Sequence, residues 1–284
     1  MDNITRSRID ELIDLALIED LGDGDHTSLS CVPADKKGAA RLLVKEHGII
    51  AGIEIADIIF KKIDQRFNTE YFIMDGAKVS PGDVAFKISG PSQSILKAER
   101  LMLNVMQRMS GIATKTRTYV DLLEGLNTKI LDTRKTTPGF RIFEKMAVKI
   151  GGGANHRFGL FDMILIKDNH VDFAGGISNA IQMTRDYLKN TGRNLRVEIE
   201  VRNLTELGKV LHIGLVDRIM LDNFTIEQTK EAVNQINKKF ETESSGGINI
   251  NTIRAYAECG VDYISVGDLT HHINSLDLSL KAVN

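Results

Sequence analysis

Basic side chains are concentrated between residues 134 and 170 of this 284-residue chain. The stretch holds seven Lys or Arg residues against three Asp or Glu residues, whereas the whole chain has a net charge of -2. A local excess of positive charge in a nearly neutral chain indicates a site for a small anionic ligand. Arg grips a carboxylate or phosphate with two hydrogen bonds, and Lys acts as a point charge. The candidates, which follow predicted strands or a glycine-rich turn, are Arg134, Lys135, Arg157 and Lys167, whereas Arg141, Lys145 and Lys149 have the spacing of a solvated helix face.

A pair of carboxylates offers a second kind of chemistry. Glu200 and Asp222 end adjacent predicted strands. Such a pair holds a divalent metal through hard oxygen ligands or binds ribose hydroxyls. The alternative is one solvated carboxylate and one turn residue. No Cys and His residues have the spacing of a zinc site.

The segment Ser244-Ser245-Gly246-Gly247 follows a short predicted strand and precedes a predicted helix. Free backbone amides at such a helix N-terminus bind phosphate readily. Gly267 and Asp268 follow the last predicted strand, and barrels often bind phosphate with the loops after their late strands. The two segments together predict a phosphate site, with ordinary turn structure as the alternative.

Two further features leave alternatives open. The triplet Gly151-Gly152-Gly153 allows a backbone to approach a ligand closely, although glycines also end helices. Lys167 follows a predicted barrel strand, and a buried lysine there forms a Schiff base with a carbonyl substrate. An aldolase-type barrel is therefore a rival to an anion-binding site.

The elements that position these residues change character near residue 112. Residues 1–112 mix helices and short strands without regular alternation, which predicts an α+β domain. Beyond them, six short apolar runs alternate with helical stretches, which predicts a parallel sheet with crossover helices. Because ionisable or turn-forming residues follow all six runs, the pattern favours an α/β barrel over an open doubly wound sheet.

Composition excludes several classes of protein. Apolar residues make up 42% and charged residues 26%, as in a folded enzyme-sized protein. The net charge of -2 argues against nucleic-acid binding, and no apolar run is long enough to cross a membrane. The N-terminal segment is acidic, unlike a signal peptide. With only Cys31 and Cys259 present, we expect reduced thiols and a cytoplasmic location.

The motifs, taken in order, resemble those of the quinolinate phosphoribosyltransferases, the carboxylating nicotinate-nucleotide pyrophosphorylases. The resemblance covers nearly the whole chain, and its strength is the order of the set rather than any single motif. Its most specific parts are Asp132-Thr133-Arg134-Lys135-Thr136-Thr137-Pro138-Gly139, Gly151-Gly152-Gly153 with Asn155-His156-Arg157, and Leu165-Ile166-Lys167-Asp168-Asn169-His170. Glu198-Ile199-Glu200-Val201, Leu221-Asp222-Asn223, Ser245-Gly246-Gly247-Ile248 and Ser265-Val266-Gly267 complete it.

The resemblance implies an α/β fold of two domains. An N-terminal α/β sandwich domain would comprise residues 1–112, with residues 273–284 returning to it. An incomplete α/β barrel of seven strands would comprise residues 113–272 as the catalytic domain. The residue pattern itself contains six barrel strands, so the resemblance and the pattern differ by one strand.

The family reaction joins quinolinate to 5-phosphoribosyl-1-pyrophosphate (PRPP) and releases pyrophosphate and carbon dioxide. The product is nicotinate mononucleotide, an intermediate in NAD biosynthesis, and Mg²⁺ accompanies PRPP. The resemblance implies that Lys135, Lys167, Glu200 and Asp222 are catalytic and that Glu200 and Asp222 hold the metal. The implied quinolinate ligands are Arg100, Thr133, Arg134, His156, Arg157 and Lys167. The implied PRPP ligands are Lys135, Glu200, Asp222, Ser245, Gly246, Gly247, Gly267, Asp268 and His271.

The resemblance also implies a homodimer in which Arg100 reaches the neighbouring subunit's site, with a hexamer left open. Asp268 departs from the family pattern, where a small neutral residue is frequent, and His272 replaces a common Ser. Three rivals remain: a molybdenum-transport-associated homologue of the same fold, the lysine-dependent aldolase-type barrel, and a metabolite sensor without turnover. The expected partners are quinolinate, PRPP and a second subunit, with no nucleic acid and no membrane.

Overall fold

The computed structural model describes residues 3–283, with side chains from residue 5 onward. Residues 1, 2 and 284, which begin and end the predicted ranges 1–112 and 273–284, lie outside the described residues. The chain forms two units. The first comprises Met1–Arg117, Thr136–Gly152 and Leu269–Asn284, and the second comprises Thr118–Lys135 and Gly153–Asp268.

The first unit contains an antiparallel sheet of four strands and a small antiparallel pair. The four-stranded sheet has the order β12-β1-β5-β3, and the pair joins β2 to β4. The strands are β1 (Lys37–Val44), β2 (Gly48–Ile49), β3 (Asn68–Tyr71), β4 (Lys78–Val79), β5 (Val84–Pro91) and β12 (Leu278–Val283). The helices α1 (Asn3–Leu21), α2 (His26–Cys31), α3 (Ile53–Ile63) and α5 (Arg141–Ile150) belong to the same unit. α11 (Asp268–His271) begins at the boundary between the units.

The C-terminal segment completes the first sheet. β12 lies antiparallel to β1, with Leu280 opposite Leu42 in the register. Both side chains are buried, so the pairing adds apolar surface to the core as well as a ladder of hydrogen bonds. Residues 278–283 therefore lie in the sheet of the first unit.

The long helix α4 (Ser92–Asp121) begins in the first unit and ends in the second. Within the first unit, Arg108 on α4 donates two hydrogen bonds to the fully buried Glu144 of α5, at 2.9 and 2.6 Å. A Cβ atom on Gly151, just after α5, would lie 2.6 Å from the Ala113 carbonyl oxygen. Since these contacts hold α5 against α4, residues 136–152 group with the first unit rather than with the predicted barrel range 113–272.

The second unit is built around a parallel sheet of six strands. Their order is β6-β11-β10-β9-β8-β7, so every neighbour is adjacent in the chain except where β11 returns to β6. A doubly wound sheet reverses its strand order at a switch point, whereas this sequential order is that of an incomplete barrel. The strands are β6 (Lys129–Leu131), β7 (Ile164–Ile166), β8 (Val197–Val201), β9 (Arg218–Asp222), β10 (Glu241–Ser245) and β11 (Tyr263–Ser265). The helices are α6 (Asp168–Phe173), α7 (Ile177–Thr191), α8 (Leu204–Ile213), α9 (Ile226–Ile236) and α10 (Ile253–Glu258).

The seventh strand implied by the resemblance is reduced to one bridge among the described residues. Ala154 pairs in parallel with Leu131 on the open side of β6. Its N–H donates to the Ile130 carbonyl at 2.8 Å, and its carbonyl accepts from Asp132 N at 3.2 Å. The ladder does not extend toward the N-terminus because Gly152 has φ +97°, outside the strand region. The count of six strands from the residue pattern is therefore correct, and the seventh position is a single residue.

Two central strands of this sheet, β8 and β9, carry their ionisable residues on one face and only apolar residues on the other, although both faces are largely buried. In β8, Val197, Ile199 and Val201 are fully buried, and Glu198 and Glu200 lie on the opposite face. The register of the neighbouring strands brings further ionisable residues to that second face. The barrel interior is therefore polar, unlike the branched apolar interior typical of α/β barrels.

Candidate active site

A cavity of about 690 Å³ opens in the second unit at the carboxyl ends of its strands. Its position follows from the fold, because all six parallel strands end at the same edge. The cavity brings together most of the residues that the sequence predicted to do chemistry. It is lined by Thr133, Arg134, Lys135, His156, Arg157, Leu165, Lys167, Glu200, Met220, Asp222, Asn223, Glu243, Ser245, Gly246, Gly247, Ile248, Ser265 and Gly267.

One wall of the cavity carries two arginines. Arg157 donates from Nη1 to the Met163 carbonyl oxygen at 3.2 Å, which holds its guanidinium beside β7. Burial, and after it the positive charge of Arg134, lowers the pKa of Arg157. Two guanidinium groups that repel one another gain most when an anion lies between them. The geometry therefore suits a ligand with one or more carboxylates.

The turn that carries these basic residues is held by short local bonds. Lys135 N donates to Thr133 Oγ1 at 3.0 Å. His156 N donates to Oδ1 of the buried Asp132 at 2.9 Å, which joins the turn after β6 to the turn before Arg157. The basic side chains thus extend from two loops that are fixed to each other.

The imidazole of His156 faces protein groups at both ring nitrogens. Nδ1 accepts from Arg157 N at 2.7 Å, which places the proton of the neutral ring on Nε2. Nε2 lies 3.0 Å from Glu198 Oε2 and 3.5 Å from Glu243 Oε2. His156 lines the cavity as predicted, but its ring is locked into the floor.

Beneath the floor lies a buried charge cluster formed by Glu198, Glu243 and Arg218. Arg218 Nη1 lies 2.9 Å from Glu243 Oε2. Burial first, and then the negative charge of Glu198, raises the pKa of Glu243 to about 8. Burial likewise raises the pKa of Glu198. Two carboxylates this close therefore do not both ionise readily, and the positive charge of Arg218 opposes both shifts.

Lys167 and Glu200 face each other inside the cavity. Lys167 Nζ lies 3.6 Å from Glu200 Oε2. Burial and then Asp222 raise the pKa of Glu200, and Lys167 opposes that shift. Glu200 and Asp222 are thus near enough to repel one another, which is the arrangement that a divalent cation would stabilise.

The phosphate-type loop is tied to Asp222 by hydrogen bonds. Ser245 Oγ donates to Asp222 Oδ1 and Asn223 Nδ2 donates to Oδ2, both at 2.6 Å. Gly246 has φ +88°, and a Cβ atom there would lie 2.6 Å from Asn223 Cγ. Only glycine fits between the two strand ends, so the tight turn directs Ser245–Gly247 along the cavity.

Four predicted site features are placed differently. Asp268 is not a lining residue; its carboxylate accepts from Tyr119 Oη at 3.1 Å. Arg100 and His271 belong to the first unit. None of Gly151, Gly152 and Gly153 lines the cavity, and the missing side chain of Gly151 serves the packing of α5 against α4 instead.

The prediction missed the buried charge cluster. Glu198 was named only as part of a motif and Glu243 only as part of a strand ending, and Arg218 was given no role. The signal was present in β8, β9 and β10, where the ionisable residues of each strand all lie on one face, separated by an odd number of residues. Parallel strands buried on both faces are normally apolar throughout, so this pattern indicates a polar interior.

Comparison with known protein families divides the chain near residue 111. Residues 25–110 match the N-terminal domain of quinolinate phosphoribosyl transferase, and residues 112–281 match its C-terminal domain. The chain belongs to the quinolinate phosphoribosyltransferase family. The matched ranges together account for most of the chain, so membership does not depend on the barrel alone.

Individual relatives agree with this family. The chain is 45% identical over 285 residues to the chloroplastic carboxylating nicotinate-nucleotide pyrophosphorylase of Oryza sativa, covering 95% of this chain and 76% of that protein. It is 38% identical over 273 residues to the probable carboxylating enzyme of Bacillus subtilis, covering 96% and 93%.

Solved structures extend the agreement to three dimensions. NadC from Streptococcus pyogenes superposes with a TM-score of 0.93 at 36% identity, covering 100% of both chains. The nicotinate-nucleotide pyrophosphorylase of Francisella tularensis gives 0.91 at 40% identity, also covering 100% of both chains. The phosphoribosyltransferase fold thus extends over the whole chain.

Proposed function

We propose that this quinolinate phosphoribosyltransferase family member transfers the phosphoribosyl group of PRPP to quinolinate and decarboxylates the product. Nicotinate mononucleotide, pyrophosphate and carbon dioxide result. One observation carries the proposal: a single cavity joins a basic wall, a carboxylate pair and a glycine loop. These are the groups needed for a dicarboxylate, a ribose and a phosphate.

The basic wall would bind quinolinate through its two carboxylates. Arg134 and Arg157 supply planar forks, and Lys167 supplies a point charge. Thr133 and His156 would define the edge of this subsite, with the ring of His156 acting from the floor. Once the ring nitrogen bonds to the ribose it becomes a pyridinium, which accepts the electron pair left when carbon dioxide departs.

The opposite wall would bind PRPP. Glu200 and Asp222 would face the ribose, where their negative charge stabilises positive charge that develops as pyrophosphate leaves. Ser245, Gly246, Gly247 and Gly267 would hold the 5-phosphate, and Lys135 would face the phosphates. Asp268 and His271 stay expected neighbours of that phosphate edge.

The donor set near the ribose fits Mg²⁺. Glu200 and Asp222 are carboxylates close enough for the charge of Asp222 to raise the pKa of Glu200, and hard oxygen ligands of this kind suit that ion. The two residues would hold Mg²⁺, which when bound with PRPP offsets charge on the departing pyrophosphate. Positioning of both substrates by the chain's own residues supplies the rest of the rate.

The environment of Lys167 argues against an aldolase-type reaction. Its side chain is 48% exposed and lies 3.6 Å from Glu200. A Schiff-base lysine typically lies desolvated in an apolar pocket or next to another cation, and Lys167 has neither environment in these contacts. Lys167 is therefore better suited to hold an anion.

A second subunit would complete the site by supplying Arg100. Large apolar side chains stand exposed on the second unit, including Leu160, Phe161 and Phe173. No helix among residues 3–283 is long and apolar enough to cross a membrane. A cytoplasmic location and the choice between dimer and hexamer stay predictions.

The proposal is tested by omission. Purified protein is incubated with quinolinate, PRPP and Mg²⁺, and nicotinate mononucleotide is followed by mass spectrometry. We expect product only with all three components and none when nicotinate replaces quinolinate. Absence of product from folded protein would contradict the substrate assignment and direct a screen of other pyridine and pyrimidine acids.

A further inference from the structure

Arg218 lies inside the barrel below the cavity, and it does not line the cavity. Only 9% of its side chain is exposed. Nη1 contacts Glu243 Oε2 at 2.9 Å, and Nη2 contacts Glu241 Oε2 at 3.0 Å. The guanidinium also stacks over the Tyr263 ring, 4.0 Å from its centroid. With two carboxylates on its edge and an aromatic ring on its face, the group has one orientation.

Glu243 connects Arg218 to His156. It is fully buried beside the cavity, and its Oε2 is shared between Arg218 at 2.9 Å and His156 Nε2 at 3.5 Å. Without the guanidinium, its carboxylate would lie next to Glu198 with no cation except through His156. Burial of two such carboxyl groups is costly, and the contact with Arg218 holds Glu243 Oε2 where it faces the imidazole.

His156 in turn contacts the backbone of Arg157, one of the two arginines on the cavity wall. With Nε2 facing the carboxylates, Nδ1 accepts from Arg157 N at 2.7 Å, and His156 N is bound to Asp132 at 2.9 Å. The ring therefore fixes the backbone from which the Arg157 guanidinium extends. A rotated ring would release that N–H and let the guanidinium shift within the cavity.

We propose that Arg218 is a positioning residue for the dicarboxylate substrate: it holds Glu243 against His156, which in turn fixes Arg157. The inference rests on the proposed function for the identity of the substrate. It assigns a specificity role to a residue that contacts no ligand. Because Arg218 acts only on the basic wall, its loss weakens one substrate and spares the other.

The test measures the affinities of quinolinate and of PRPP with Mg²⁺ separately by calorimetry, in wild type and in Arg218→Met. Removing a residue that orients a ligand-binding side chain typically costs about tenfold or more in binding affinity. We expect a loss of that size in the affinity for quinolinate. The affinity for PRPP should stay unchanged. Arg196→Met is the matched control, because Arg196 also binds Glu241 Oε2, at 2.6 Å, from a side chain that is half exposed.

Two further variants keep the test decisive if Arg218→Met does not fold. Glu243→Gln should weaken quinolinate in the same selective way, and the double variant should equal Glu243→Gln alone because the two residues act in series. Arg218→Lys retains the charge without the fork, so it should restore part of the affinity.

Two results would overturn the inference alone: equal loss of both affinities, or unchanged quinolinate binding in folded Arg218→Met and Glu243→Gln. A wild type that binds no quinolinate would overturn the substrate assignment and the inference together. Failure of the proposed function has a different signature. In that case wild type binds quinolinate but yields no nicotinate mononucleotide, and the comparison of affinities still decides the role of Arg218.

Discussion

Individual residues owe their chemistry to a few strong neighbours. Arg157 is part-buried, close enough to Arg134 for that charge to lower its pKa, and held by the Met163 carbonyl. Charges arranged in this way are preorganised, since little motion is needed when an anion arrives. The repulsion between the two guanidinium groups is offset only when an anionic ligand binds.

The first prediction concerns Arg157→Ala. We expect kcat/KM for quinolinate to fall about 100-fold, or roughly 3 kcal/mol of transition-state stabilisation, because a charged hydrogen-bond partner is lost. Thermal stability should change little. Arg193→Ala is the control, since Arg193 is an exposed arginine of the same unit that does not line the cavity. Steady-state kinetics measures this change. If Arg157→Ala kept the wild-type kcat/KM for quinolinate, Arg157 would not be a quinolinate ligand.

The second prediction concerns the pH dependence of folding. The pKa of Glu243 is raised from an ordinary 4.5 to about 8 by burial, so between those values the folded state binds more protons than the unfolded state. The free energy of unfolding therefore falls as pH rises through this window. Glu243→Gln removes that dependence, and we expect its stability relative to wild type to improve from pH 4.5 to 8.

Chemical denaturation at several pH values measures this difference. Glu243→Gln leaves Arg218 its contacts with Glu241, so the variant does not strand a buried cation. Glu46→Gln, at an exposed carboxylate of the first unit, is the control. A stability difference that stays constant across the window would contradict the raised pKa.

At the same scale, the sequence predicts the lining of the cavity better than its floor. Residues at the carboxyl ends of parallel strands meet at one edge of the sheet, so their proximity can be predicted from the sequence. Arg134, Lys167 and Asp222 were identified for this reason. The floor depends on which face of each strand turns inward. Contacts such as Arg218 to Glu243 join residues of neighbouring strands, and only the register of those strands reveals them.

At the scale of elements, the loop after β10 is the most constrained part of the site. Gly246 combines a positive φ with close contact to Asn223, which itself has φ +56°. A non-glycine residue in that region costs about 1–2 kcal/mol even without a clash. The tight turn is therefore the reason that Ser245 reaches Asp222.

The third prediction concerns Gly246→Ala. We expect the melting temperature to fall and KM for PRPP to rise, because the added Cβ pushes Asn223 and the phosphate loop apart. Gly260→Ala isolates the backbone cost, since Gly260 has the same φ of +88° but its Cβ would meet nothing nearer than Val233 Cγ1 at 3.8 Å. The assignment of the loop would be wrong if the two variants had equal KM values for PRPP.

Helices and strands could be predicted from the sequence where the pattern of apolar residues within a short segment determines them. The strands of the second unit agree closely with the apolar runs, of which Lys129–Leu131 and Val197–Val201 have the bounds of β6 and β8. β10 extends to Ser245, beyond the predicted apolar run, because its inward residues are polar. The grouping of α5 with the first unit was not predictable, since it depends on the distant pair Arg108 and Glu144.

At the scale of the whole molecule, the proposed site would be completed by a second subunit. Arg100 lies on α4 in the first unit, and it is the one predicted quinolinate ligand outside the second unit. Closed symmetry would give each dimer two equivalent shared sites. That arrangement makes activity a property of the assembly.

The fourth prediction is complementation between inactive subunits. Arg100→Ala and Lys167→Ala should each be inactive alone, because each removes a cation from every site. Mixing them gives heterodimers with one intact site, so random exchange should restore about a quarter of wild-type activity. Exchange is verified by native mass spectrometry, and no recovery in verified heterodimers would mean that Arg100 serves its own subunit or none.

The central claim is that one cavity both transfers the phosphoribosyl group and releases a carboxylate of quinolinate. The most direct measurement uses quinolinate labelled with ¹³C in the carboxyl group next to the ring nitrogen, together with PRPP and Mg²⁺. The account predicts labelled carbon dioxide and unlabelled nicotinate mononucleotide in equal amounts, and neither product without PRPP. Label retained in a mononucleotide, or carbon dioxide released without PRPP, would contradict it.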